Sequence, residues 1–232
     1  MLTKLRSAPV EIGGARASQV DQTTCGSACL LMLAATGDSR LMEWLETGQY
    51  EGARPPEVPA GHYPDAASRI AAAQRQLKHR TGRAALGPIR WPGQFGTPPW
   101  TAAREARFPG VRYTHRPVDD RGARGAEMVS LLVNALRAGY PVLVYSGGSI
   151  AQGAATAIPR HVVLAVPGSE VRITPEGDEI ISLYEPSEGL VHEVRAGDLR
   201  DRTTPMRALG NWSHVQWLCL PVPSRPTSQG IS

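Results

Sequence analysis

Residues 19–33 read QVDQTTCGSACLLML, and the position of one cysteine in that stretch governs how the rest of the chain is read. After the turn-forming run DQTT, residues 25–35 are almost all small or apolar. Cys25, Ala28, Cys29 and Met32 fall at i, i+3, i+4 and i+7, which predicts a helix that begins at Cys25. Thr23 or Thr24 would cap it, and Gly37 would stop it. The unpaired amides and positive dipole end of a helix N-terminus favour a thiolate, the nucleophilic form of cysteine. Gly26 would let a substrate backbone come close to that thiolate. Gln19, six residues upstream, could reach back with its carboxamide NH2 and form an oxyanion hole with the Cys25 amide. Cys29 and Cys219 stand in apolar runs and read as small core residues.

The whole chain sets the frame for this stretch. Its 232 residues are 41% hydrophobic, enough to bury a core of one elaborated domain. The N-terminal MLTKLRSAPVEIGGARAS lacks the apolar run of a signal peptide. No segment approaches the ~20 apolar residues of a membrane span. The expected location is the cytoplasm, export by a non-standard route aside. Three cysteines do not suggest a disulfide scaffold, and with no second Cys or His pair at zinc spacing no metal or other cofactor is expected. The formal charge of +4 is uneven: residues 69–124 hold twelve Lys or Arg against Glu105, Asp119 and Asp120, so that segment is +9 and the remainder −5. Such a segment could receive an acidic partner or be a solvated arginine-rich surface. No nucleic-acid-binding motif accompanies it.

Residues 1–17 read as an extended or poorly ordered lead-in broken at Gly13 and Gly14. A short helix is expected from an Asp38 or Ser39 cap to Gly48, a loop over 49–64, and a helix from an Asp65 cap to near Gly82. Five prolines in residues 86–110 exclude long regular elements there, while Trp91, Phe95 and Trp100 suggest a packed segment walling a cleft. AEMVSLLVNALRAG predicts an amphipathic helix, and PVLVYSGG a buried strand. Further strands are expected at about 161–166, 170–174, 179–184, 190–194 and 214–220, with one short helix at AGDLRD and a frayed tail over 224–232.

QVDQTTCGSACLLM resembles the active-site segment of the bacterial bacteriocin-processing cysteine peptidases, a papain-like family that cleaves double-glycine leader peptides. In that family a histidine opens a later aliphatic strand, and an acid followed by proline ends another. PRHVVLAV offers His161 and SLYEPSEG offers Glu185 before Pro186. The resemblance covers residues 17–36 and 126–190. It implies a single α+β domain of papain-like fold, with an N-terminal helix carrying the cysteine packed on a C-terminal antiparallel sheet carrying the histidine. It further implies Cys25 as nucleophile, His161 as base, Glu185 as the group that orients the imidazole, and Gln19 as oxyanion donor. The chain departs from the family in having Thr24 before the cysteine, Glu in place of the usual Asp, and a longer stretch between His161 and Glu185. A hairpin turning at TPEGD would need a bulge to set those two opposite each other. Residues 49–124 have no counterpart in the family and read as a Pro/Gly/Arg-rich insert, and no transporter is fused, so a leader-peptide substrate does not follow.

The expected chemistry is attack of the thiolate on a carbonyl to give an acyl-enzyme. Water as acceptor hydrolyses a peptide or isopeptide bond of a protein or peptide substrate. An acyltransferase, transglutaminase or deamidase acting on a protein is the second class, and an inactive peptide-binding module the third. His62, His79 and His115 read as solvated side chains, and His192 and His214 have no motif around them. Neither the oligomeric state nor the substrate is legible.

Overall fold

The computed structural model describes residues 5–83, 85, 91–93, 96–148, 159–168 and 172–223. The protein is an α+β fold built on an antiparallel sheet of eight strands: β1 (Ser7–Pro9), β4 (Val111–Pro117), β5 (Val142–Gly147), β6 (His161–Val166), β7 (Arg172–Ile173), β8 (Glu179–Glu185), β9 (Leu190–Arg195) and β10 (His214–Pro223). Their order is β1-β9-β8-β6-β5-β10-β4, with β7 beside β8. β2 (Glu11–Ile12) and β3 (Ala15–Arg16) form a separate small hairpin.

The alternation of side chains along the strands divides the core into two. Leu143, Tyr145, Val162, Leu164 and Tyr184 face α1 (Cys25–Gly37), α2 (Ser39–Thr47), α3 (Ala66–Gly82) and α4 (Pro99–Glu105). Val142, Val144, Val163, Ala165 and Leu183 face α5 (Gly122–Arg137) and two 3₁₀ turns, Ala196–Leu199 and Arg207–Leu209. Helix α1 is the central helix. Every residue from 25 to 35 is buried, because β6, α2, α3 and α4 surround it. An all-apolar helix carries no single buried stripe, so the Cys25/Ala28/Cys29/Met32 face is one of several that are covered.

The segment set apart as an insert supplies α3, α4 and edge strand β4 to this same architecture. Asp65 caps α3 through a reciprocal box with Ser68. Arg69 is buried and donates to the carbonyls of Leu45, Glu46 and Tyr63, which closes the end of α2. Several other basic residues of the segment are also paired within the chain: Arg80 with Glu105, Arg107 with Asp38 and Glu57, and Arg116 with Glu127. Asp38, Glu57 and Glu127, which lie outside the segment, thus offset part of its +9 charge. The lead-in is more ordered than expected, since residues 7–9 pair with β9 at the sheet edge. The expected tail over 224–232 and residues 170 and 171 of one expected strand lie outside the described residues. Among the described residues, no helix is long and apolar enough to cross a membrane.

Candidate active site

Cys25 is the first residue of α1, and Thr24 stands at the cap position without a capping hydrogen bond. The Thr24 hydroxyl instead accepts from the Asp21 amide and donates to the Asp21 carbonyl, at 2.9 Å each. It closes the DQTT turn on itself, so no cap side chain occupies the amides of the first helical turn. This is what an oxyanion hole requires of a helix N-terminus. Gly26 has a packing role in the structure. A Cβ there would lie 2.6 Å from Thr97 Cβ, so the missing side chain admits Thr97, just ahead of α4.

The Gln19 segment is held from two sides. Its amide donates to the Pro186 carbonyl at 2.7 Å, and Tyr184 Oη donates to the Ala17 carbonyl at 2.6 Å. From α3, the buried Gln74 donates to the Ser18 carbonyl and accepts from the Val20 amide. The Gln19 carboxamide nitrogen donates to the Asp21 carbonyl at 2.9 Å, inside the turn that precedes Cys25. One hydrogen bond uses one of its two N–H groups.

His161 opens β6, beside Ser146 of β5, and is 8% exposed. Its Nε2 lies 2.7 Å from Oε1 of Glu185, which is 1% exposed at the end of β8. Strand β6 meets β8 in regular register, Leu164↔Tyr184 and Ala165↔Leu183. Continued, that register puts Glu185 opposite Val163, two residues from His161 and on the same face. The pair therefore meets along a sheet diagonal, which spans ~7 Å between neighbours and lies within reach of long side chains. The extra methylene of Glu over Asp suits that span, and the described pairing of β6 with β8 needs no bulge. The carboxylate also accepts from Ser187 N at 3.0 Å, Ser187 Oγ at 2.6 Å and Glu188 N at 2.9 Å.

Burial opposes ionisation of both partners, yet their hydrogen bonds and opposite charges prevail. Glu185 is pulled down to about 2, chiefly by His161 and Ser187 against its desolvation. His161 is raised to about 9, its desolvation outweighed by hydrogen bonds and charge from Cys25 and Glu185. With Nε2 given to Glu185, Nδ1 is the ring nitrogen left for a second partner. The other two thiols are inert donors. Cys29 donates to the Val162 carbonyl at 3.3 Å and Cys219 to the Pro99 carbonyl at 3.4 Å, and burial raises both well above the ordinary cysteine range.

Gly210 belongs to the site without any sequence motif to announce it. It has φ +67°, and a Cβ there would fall 2.3 Å from Cδ2 and 2.6 Å from Nε2 of His161, so its backbone lies directly against the imidazole. Gly210→Ala is expected to lose about 1 kcal/mol from left-handed backbone alone and to push the ring off Glu185. Gly139→Ala, at φ +83° with open space around it, has the backbone penalty only. Alkylation of Cys25 should slow in the first variant and not in the second; equal rates in both would show that the ring tolerates the methyl group.

His192 and His214, which had no motif, are anchored elsewhere. His192 Nδ1 lies 2.8 Å from Ser7 Oγ across the β1–β9 edge, and His214 Nδ1 lies 3.1 Å from the buried Asp120. His115, expected to be solvated, is exposed but stacks on Trp217 with ring centroids 5.9 Å apart. Among the described residues no group of three or more His, Cys, Asp or Glu side chains is arranged to hold a metal ion. No protein-family model and no curated protein matches this chain in sequence.

Proposed function

We propose that the chain is a papain-like thiol hydrolase that cleaves a peptide or isopeptide bond through Cys25, His161 and Glu185. The observation that carries the reading is the imidazole of His161, bound at 2.7 Å by the buried carboxylate of Glu185; the nearby Cys25 thiol, with Glu185, raises its pKa to about 9 against its desolvation. A base oriented by an anion and set against a nucleophile is the arrangement needed for acyl transfer.

In this mechanism His161 Nδ1 takes the proton of Cys25 while Nε2–H stays on Glu185. The thiolate adds to the substrate carbonyl carbon, and the resulting oxyanion receives hydrogen bonds from the Cys25 amide and the Gln19 carboxamide, worth roughly 3 kcal/mol per donor. As the tetrahedral species collapses, the C–N bond breaks and His161 hands its proton to the departing amine, leaving a thioester on Cys25. Water then gives a proton to His161 and adds to the thioester carbonyl. The C–S bond breaks, the acid is released and Cys25 is restored.

Iodoacetamide at neutral pH should alkylate Cys25 in the native protein well before Cys29 or Cys219, with the modified residue identified by peptide mass spectrometry. Comparable rates at Cys25 and Cys219 in the folded chain would defeat the proposal. The rate of turnover should also decline as pH rises through about 9, where His161 loses its proton and can no longer act as the acid for the leaving amine.

A further inference from the structure

Four rings form a continuous, partly exposed row at the β10–β4 edge of the sheet. Trp91 and Trp100 meet edge to face with centroids 5.4 Å apart, Trp100 and His115 lie 6.5 Å apart, and His115 stacks on Trp217 at 5.9 Å. His115 is exposed, and the three indoles are half-buried. Trp217 donates its indole N–H to His115 Nδ1 at 3.3 Å, which fixes the two ring planes. The chain has five tryptophans, and three of them are in this one surface row. A packing role would be served by burying them. Large rings held rigid and half open to solvent are the side chains that dominate recognition surfaces.

The sheet connects this row to the nucleophile. Val162, Tyr145, Trp217 and Pro117 are successive partners across β6, β5, β10 and β4. Helix α1 is fastened to the first of these by the Cys29 to Val162 hydrogen bond, and Trp217 packs on the same core cluster as Cys25. Between them, Tyr145 Oη donates to the Thr97 carbonyl at 3.1 Å, and the Thr97 side chain rests on Gly26. Two strand steps of ~4.8 Å separate Val162 from Trp217, a span of about 10 Å, or about three residues of extended polypeptide.

We infer that the Trp91–Trp100–His115–Trp217 row is a specificity subsite for the same reaction, receiving a large apolar side chain of an extended polypeptide substrate several residues away from the bond cleaved at Cys25. The inference rests on the thiol-hydrolase reading for its scissile bond, while the binding it describes is measurable without catalysis. β4 lies at the free edge of the sheet, so an extended chain can approach the rings without displacing a strand.

The test incubates the full-length Cys25→Ala chain with a random library of extended twelve-residue peptides (~12, long enough to span the ~10 Å gap on either side) and sequences those retained on ultrafiltration. The retained set should be enriched in Trp, Phe, Tyr or Leu at one position, and His115→Ala in the same background should reduce that enrichment by about tenfold, the scale of a recognition hot spot. His115 is exposed, so this variant keeps the fold; Trp217→Ala serves as the stronger variant, with its melting curve recorded alongside. No enrichment, or enrichment undiminished by His115→Ala and Trp217→Ala in folded protein, overturns the subsite. Wild-type chain should cleave the retained peptides at one fixed bond, separated from the enriched position by several residues, and cleavage beside that position instead also overturns it. Enrichment with selective loss in the ring variants but no cleavage by wild-type chain counts against the hydrolase reading and upholds apolar binding by the rings.

Discussion

Glu185→Ala should lower the free energy of unfolding by about 3 kcal/mol or more, the usual consequence of removing one member of a buried ion pair. Three donors besides His161 lose their acceptor in this variant, since Ser187 N, Ser187 Oγ and Glu188 N all bind the carboxylate. The pH dependence has a definite sign. Glu185 sits at about 2, below its ordinary 4.5, so its contribution is fully present above about 4.5 and is lost as pH falls toward 2. His161 sits at about 9, above its ordinary 6.5, so its contribution is fully present below about 6.5 and is lost as pH rises through 9. The stability gap between wild type and Glu185→Ala should therefore be widest between about pH 4.5 and 6.5 and narrow on both sides. Urea unfolding at three pH values measures it, and a gap independent of pH would mean that the pair is not ionised in the folded chain.

Under the proposed thiol-hydrolase reading, His161→Ala should reduce turnover by about 10⁴-fold, as loss of a triad base does when the nucleophile has no other acceptor for its proton. The two alternative bases are occupied elsewhere: His214 is bound to Asp120 and His192 to Ser7. Alkylation of Cys25 by iodoacetamide at pH 7 should slow roughly tenfold or more, because an ordinary cysteine reacts through a thiolate fraction of a few per cent. This readout separates loss of the base from loss of the fold, since unfolding would expose Cys29 and Cys219 to the reagent and raise total labelling. An alkylation rate equal to wild type would remove His161 from the role of base.

The diagonal between His161 and Glu185 is not written in either strand. The two residue types and their strands were legible, because a histidine opening HVVLAV and an acid closing EIISLYE are local patterns. Their meeting depends on the register of β6 against β8, which is set by packing on both faces of the sheet and not by the intervening chain. Gly210 is further removed. Its neighbours in sequence are a 3₁₀ turn and Asn211, and its closeness to the imidazole exists only because β6 and β8 both contact the Arg207–Leu209 turn. Gln74 offered one faint signal, a polar residue in the apolar run AAAQ, but its partners Ser18 and Val20 are more than fifty positions away.

The helix that starts at Cys25, the α+β class and the identities of the residues that could carry acyl-transfer chemistry are all present in the local sequence, because helix patterning and strand patterning are written in neighbouring residues. That residues 49–124 supply α3, α4 and β4 to the common architecture, that Gly26 makes room for Thr97, and that Glu185 reaches His161 across a diagonal emerges from the folded chain alone. Those outcomes come from contacts between segments far apart in the chain, where the free energy of burial and strand pairing, and not local propensity, selects the arrangement.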